Sequence, residues 1–246
     1  MKETRITMGM PVTIDIESDS VTQKDIERVF QYFYFIDETF SPFKKTSEVT
    51  KINRKEIAQD TYSDDMKEVI RLCEETKRKT KGYFNTTMPN GDFNPSGLVK
   101  GWAIYHAAEL ISDMGFSIFY VDAGGDIEAR GRIWSVGIKN PFQQNEIVKV
   151  VHLKNQGIAT SGTYIRGDHI YDPHTRKAAT EILSFTVIAP NVYEADRFAT
   201  AAFAMGNKGI NFIEHVPGLE GYVINHFQGA VMTSGFEHFA QPLYVS

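Results

Sequence analysis

The amino-acid sequence predicts an α+β fold: one continuous domain over residues 1–246 in which helices pack on mixed or antiparallel sheet. Apolar residues recur at helical spacing in the first half, whereas the chain from Phe119 onward breaks into short β-rich runs punctuated by Gly, Asn and Pro. A third observation argues against a dinucleotide-binding doubly wound sheet. The Gly124-Gly125 pair lacks Gly-x-Gly-x-x-Gly spacing and leads into a strand rather than a helix.

Each element has its own signal. Val12, Ile14 and Ile16 alternate within Met8–Glu17, which reads as a strand. Ile26, Val29, Phe30, Phe33, Ile36 and Phe40 follow the helical period, so residues 22–39 form an amphipathic helix that Ser41-Pro42-Phe43 stops. A second helix runs over 64–79. The basic run Lys77-Arg78-Lys79-Thr80-Lys81 suits the negative end of its dipole. A third covers 98–114, with Trp102, Ala103, Ala107, Leu110 and Ile111 inward and Gly115 just past its end. Strands follow at 119–123, 127–130, 134–138, 147–152 and 183–189, then an alanine-rich helix at 193–205 and a late strand at 222–225.

Composition narrows the functions. With 26 Lys plus Arg against 31 Asp plus Glu, the net charge is −5, and no basic stripe suggests nucleic acid or an anionic membrane. The one cysteine, Cys73, lies in an apolar stripe with Met66, Val69 and Ile70, so it reads as packing in a chain suited to a reducing compartment. No basic segment followed by an apolar one opens the chain, and no apolar run reaches membrane-spanning length, which points to the cytoplasm.

Three stretches carry chemistry. Gly157-Ile158-Ala159-Thr160-Ser161-Gly162-Thr163-Tyr164, followed by His169-Ile170-Tyr171-Asp172-Pro173-His174-Thr175, combines small residues, hydroxyls, histidine and aspartate. It suits close approach of backbone to a phosphate-bearing ligand, or a polar hairpin between strands. Asn94-Pro95-Ser96-Gly97-Leu98-Val99-Lys100 opens the third helix, where free backbone donors and a lysine make either an anion site or a plain cap. Asp196 and Thr200 lie one turn apart on an otherwise apolar helix. They fit a hard cation such as Mg²⁺, or a first-turn acid with a threonine bonded back to the preceding turn. The seven histidines show no zinc spacing.

These pieces stand in a fixed order with Met8-Gly9, Ser41-Pro42-Phe43, Ser47-Glu48-Val49, Gly82-Tyr83-Phe84-Asn85, Asp122-Ala123-Gly124-Gly125-Asp126 and Ala195-Asp196-Arg197-Phe198-Ala199-Thr200-Ala201. As a set, spanning nearly the whole chain, they resemble the FAD:protein FMN transferase (ApbE) family, and a short subgroup of it. The resemblance implies a Mg²⁺-dependent transferase that cleaves the FAD pyrophosphate, attaches FMN to a threonine of an acceptor flavoprotein and releases AMP. It implies Asp196, Thr200 and the Gly97 carbonyl as metal ligands. Lys100 and Asn94 would contact FAD, and Met8, Phe43, Tyr83, Phe84 and Asn85 would line its pocket. His169 and Ile170 would lie beside the cofactor, with His169 activating the acceptor hydroxyl. Many members carry aspartate where this chain has Asn85 and Asn94, and an amide cannot act as a carboxylate base. Only five residues separate Thr87 from Phe93, where longer relatives carry an insertion. FAD hydrolysis to FMN and AMP, or FAD binding without turnover, are the alternatives.

Overall fold

A computed structural model describes residues 1–143, 146–162 and 170–240. In chain order its elements begin with β1 (Lys2–Thr7), β2 (Met10–Ile16), α1 (Gln23–Phe40), α2 (Glu48–Asn53), α3 (Asp64–Lys79) and α4 (Ser96–Asp113). A run of strands follows: β3 (Phe119–Ala123), β4 (Asp126–Arg130), β5 (Trp134–Lys139), β6 (Ile147–Leu153), β7 (Gln156–Gly162), β8 (Tyr171–Asp172), β9 (Lys177–Ala178) and β10 (Ile182–Ala189). The chain continues through α5 (Val192–Ala204), α6 (Gly209–Glu214), β11 (Glu220–Asn225), β12 (Ala230–Met232) and α7 (Glu237–Ala240).

The expected α+β class holds, and the sheet is antiparallel rather than mixed. Eight strands follow the order β1-β2-β3-β4-β7-β10-β11-β12, each antiparallel to its neighbours. Local chemistry starts the helices where apolar stripes need them. Thr22 and Asp25 form a reciprocal capping box at α1, whose Ile26, Val29, Phe30, Phe33, Ile36 and Phe40 are buried. Ser63 caps α3, and the last turn of that helix holds Lys77, Arg78 and Lys79, as the dipole favours. Among the described residues no helix is long and apolar enough to cross a membrane.

The sheet separates its two faces by strand alternation. Val12, Ile14, Ile16, Phe119 and Val121 face α1, α3 and α4, and Phe185, Val187 and Ala189 of β10 face α5 and α6. On the opposite face Ile158, Ile188, Tyr222 and Ile224 pack with Trp134, Ile138, Val151 and Leu153 of the β5–β6 hairpin. That hairpin forms a separate two-stranded sheet and becomes one wall of the cavity described below.

Several local readings change. β1 escapes the sequence pattern because it is an edge strand in which only Thr7 is buried and Ile6, its one large apolar residue, is exposed. The short α2, capped by Ser47, has too few residues for a periodic signal. The stretch from Gly157 is a sheet strand between β4 and β10, with Ala159 opposite Val187 and Thr160 opposite Thr186. Gly157 answers a packing demand, while Ile158, Thr160, Ser161 and Gly162 line the cavity described below. A Cβ on Gly157 would stand 1.9 Å from the Val192 amide nitrogen, so β7 is small where the first turn of α5 rests on it. Thr163, Tyr164 and His169 lie outside the described residues.

Cys73 is buried on α3, and burial pushes its thiol up to about 12. Native protein should therefore react with a thiol reagent only at its unfolding rate. A rapid stoichiometric reaction in a colorimetric thiol assay would place Cys73 at the surface instead.

Candidate active site

α4 and α5 meet at one end of a deep cavity, and glycine sets how closely they approach. A Cβ on Gly101 would stand 2.5 Å from the Asp196 Cβ and 2.8 Å from the Val192 carbonyl oxygen. The Gly101 N–H donates to Asp196 Oδ2 at 2.7 Å across 95 residues of sequence. One turn earlier on α4, Gly97 offers its carbonyl to the Thr200 hydroxyl at 3.3 Å, and Ser161 Oγ of β7 lies 3.5 Å from the same hydroxyl. Thr200 thus reaches across to α4, which sets aside the reading in which it only bonds back along its own helix.

Charge concentrates here. Asp196 and Asp126 are both almost fully buried, and Lys100 contacts Asp126 Oδ2 directly while standing 3.6 Å from Asp196 Oδ1. Asp126 Oδ1 accepts the Thr160 N–H at 3.0 Å. Burial pushes the Asp196 carboxyl up to about 7; Lys100 opposes that rise and the Asp126 charge adds to it. Nearby Asp122 is also raised by burial, while its Oδ1 holds the Gly124-Gly125 turn by accepting the Gly125 N–H at 2.8 Å.

The cavity has a volume of about 1150 Å³. Small-molecule sites commonly occupy ~300–1,000 Å³, so this one suits a large ligand. Lys100, Gly97, Asp126, Asp196 and Thr200 lie at its polar end. Thr13, Tyr120 and Asp122 of the sheet and all of β5 form walls, and Tyr83, Phe84, Asn85, Asn94 and Ile170 also line it. Asn85 Oδ1 accepts the Thr87 N–H at 3.1 Å, and Asn94 Oδ1 accepts the Ser96 N–H at 3.0 Å. Both side chains therefore hold turns at the rim with oxygen, as carboxylates at these positions also could.

Two predicted pocket residues stand apart from the lining. Phe43 is 91% exposed, and Met8 is half-buried against the helical core with φ of 53° in the β1–β2 turn. His169 lies outside the described residues. Sequence reasoning did not single out Asp126 or the β5 wall, and named Ser161 only as part of the Gly157 stretch. Asp126 stands in the quoted Asp-Ala-Gly-Gly-Asp hairpin, but only pairing of β4 with β7 shows that it turns toward Lys100.

The back of α5 is equally fixed. Glu128 Oε2 accepts the Val192 N–H at 2.7 Å and Asn191 caps Glu194, so the first turn has carboxylate and amide partners. Burial raises the Glu128 carboxyl. Arg197, adjacent to Asp196, is buried on the other flank, with Glu194 at 2.6 Å and Thr76 Oγ1 of α3 at 3.0 Å.

Among the described residues no group of three or more His, Cys, Asp or Glu is placed to hold a metal ion. The donors that converge are instead a carbonyl, a hydroxyl and a buried carboxylate. This all-oxygen set matches a hard divalent cation that retains water or ligand oxygen at its other positions.

Fold and cavity together define an α+β protein with a cleft of dinucleotide size over a buried acidic floor. The model of the ApbE family matches residues 8–91 and 86–223, and the chain belongs to that family. It is 31% identical over 157 residues to the FAD:protein FMN transferase of Escherichia coli K12, covering 58% of this chain and 45% of that protein. The protein of the same name from Treponema pallidum is 29% identical over 151 residues, covering 52% and 42%. The matches thus span less than half the length of these curated relatives. Among solved structures, the ApbE protein of Thermotoga maritima superimposes with a TM-score of 0.87 at 20% identity, covering 98% of this chain and 99% of that one. The flavin transferase ApbE of Vibrio cholerae gives 0.85 at 18% identity, covering 97% and 98%. At such identities the likeness is one of fold.

Proposed function

We propose that this chain is a Mg²⁺-dependent FAD:protein FMN transferase that joins FMN through a phosphoester to a threonine of an acceptor flavoprotein and releases AMP. The observation that carries the reading is the meeting of Gly97 O, Thr200 Oγ1, Asp196 and Lys100 at the floor of a cavity large enough for FAD, in a chain of this family.

Asp196, Thr200 and the Gly97 carbonyl would hold the cation. Bound there, Mg²⁺ supplies charge stabilisation to the pyrophosphate oxygens. Lys100 brings a positive charge to the same anionic centre. Tyr83, Phe84 and the apolar positions of β5 offer surface for a ring system, and the neutral rim amides Asn85 and Asn94 offer hydrogen bonds. The threonine oxygen forms a bond to the FMN-side phosphorus as the bond to the AMP oxygen breaks. His169 accepts the hydroxyl proton, a task suited to a group titrating near neutrality.

Purified protein incubated with FAD and Mg²⁺, with and without an acceptor domain bearing the target threonine, tests the reading. An FMN-sized mass gain on the acceptor that disappears when Mg²⁺ is removed is expected. Free FMN and AMP without labelled acceptor would make water the acceptor and the protein an FAD pyrophosphatase. FAD that stays bound and intact would make it a binder. On the transferase reading, His169→Ala should slow transfer by ~10²–10⁴-fold with little change in FAD affinity. Unchanged transfer in single-turnover assays would remove His169 from the mechanism.

A further inference from the structure

We propose that Lys100 is the resident counter-ion of the buried acidic floor, and that a divalent cation enters by displacing its ammonium from Asp196 toward the cavity. The inference rests on the metal reading given above and deepens it.

Two buried carboxylates side by side repel each other and lack water, so they need a cation close by. Lys100 supplies it, in contact with Asp126 and 3.6 Å from Asp196 Oδ1. The carboxylates themselves are fixed by backbone: Asp126 through the Thr160 N–H at 3.0 Å and Asp196 through the Gly101 N–H at 2.7 Å. Lysine, by contrast, carries its charge on a long rotatable stem, and this side chain keeps 20% of its surface exposed toward the cavity it lines.

A metal ion on Asp196 and an ammonium at its present distance would be like charges a few ångströms apart in a poorly solvated place. The mobile charge must yield. It can retain Asp126 while leaning into the cavity, where an anionic diphosphate would neutralise it. Lys100 therefore opposes the cation while the cavity is empty and favours the anionic ligand once the cation has entered. By linkage, each of the two ligands then strengthens binding of the other.

Calorimetric titration of MgCl₂ into the nucleotide-free protein tests this without turnover. Lys100→Met should bind Mg²⁺ about tenfold or more tightly than the wild type, because the competing charge is gone. Asp126→Asn should bind about tenfold more weakly, because the ammonium is no longer shared with the Asp126 carboxylate and is drawn more to Asp196. Lys100→Met added to Asp126→Asn should recover that loss. The paired comparison also keeps the test decisive if Lys100→Met alone does not fold with an uncompensated carboxylate. Equal or weaker Mg²⁺ binding after removal of Lys100, on either background, would overturn the counter-ion role while leaving the metal site standing. A wild type that binds no Mg²⁺ at millimolar concentration would overturn the metal reading and this inference with it.

Discussion

On the proposed transferase reading, Asp196→Asn is expected to lower FMN transfer by about 10³-fold or more, equivalent to about 4 kcal/mol of transition-state stabilisation, while leaving the fold intact. The asparagine keeps an oxygen for the Gly101 N–H, which Asp196 now accepts at 2.7 Å, so the junction between α4 and α5 survives. What the variant loses is the anionic ligand. The native carboxyl is already raised by burial, so a neutral replacement does not add to the desolvation cost of folding. Transfer rates across a Mg²⁺ series, paired with a thermal melt, separate the two effects. A variant retaining a tenth of wild-type activity at saturating Mg²⁺ would show that the cation does not depend on Asp196. Alanine is the less informative change, because leaving the Gly101 N–H buried without an acceptor costs about 1–3 kcal/mol by itself.

The largest stability effect is expected where α5 rests on β7, at Gly157→Ala. The new methyl carbon would stand 1.9 Å from the Val192 nitrogen and 2.2 Å from the Asn191 carbonyl carbon. Both are backbone atoms that cannot rotate away, so α5 must lift from β7. Overpacking of this kind costs about 3 kcal/mol, which for a chain this size is a loss of roughly 6–12 °C in Tm. The lift also strains the bond from Val192 to Glu128 and moves Asp196 a turn further along, so activity should fall together with stability. Gly137→Ala is the control. Its methyl would meet only side-chain atoms of Ile147, the nearest at 2.7 Å, and that chain can change rotamer. Equal melting temperatures for Gly157→Ala and the wild type would mean that α5 does not rest on β7 as closely as described.

The difference between those two glycines also marks what the sequence discloses. α1 and α3 were legible because a stripe such as Ile26-Val29-Phe30-Phe33 has one explanation, a helix with one buried face. β7 was not, because its Gly and Ala residues have weak strand preference, and their presence reports the helix lying above, which only the assembled fold supplies. At the site, Asp196 and Thr200 could be paired from their spacing on one helix face, and both do line the cavity. Their junction with Gly97, 103 residues away, came from family resemblance rather than from any local pattern. Asp126 needed the register of β4 against β7, a long-range fact that no window of sequence contains. Phe43 illustrates the converse: a motif position carried over by resemblance stands 91% exposed, apart from the cavity lining.

Arg197 gives α5 a further property. Successive residues on a helix project about 100° apart, so Asp196 and Arg197 anchor two different flanks of one cylinder. Asp196 is tied to α4, and Arg197 to Glu194 and α3 through Thr76. A helix held on one flank can roll; a helix keyed on two cannot turn without breaking both keys. The orientation of the oxygen donors is therefore inherited from the folding of the core and is complete before any ion arrives. On the proposed metal reading, a cation would meet donors already oriented by the core.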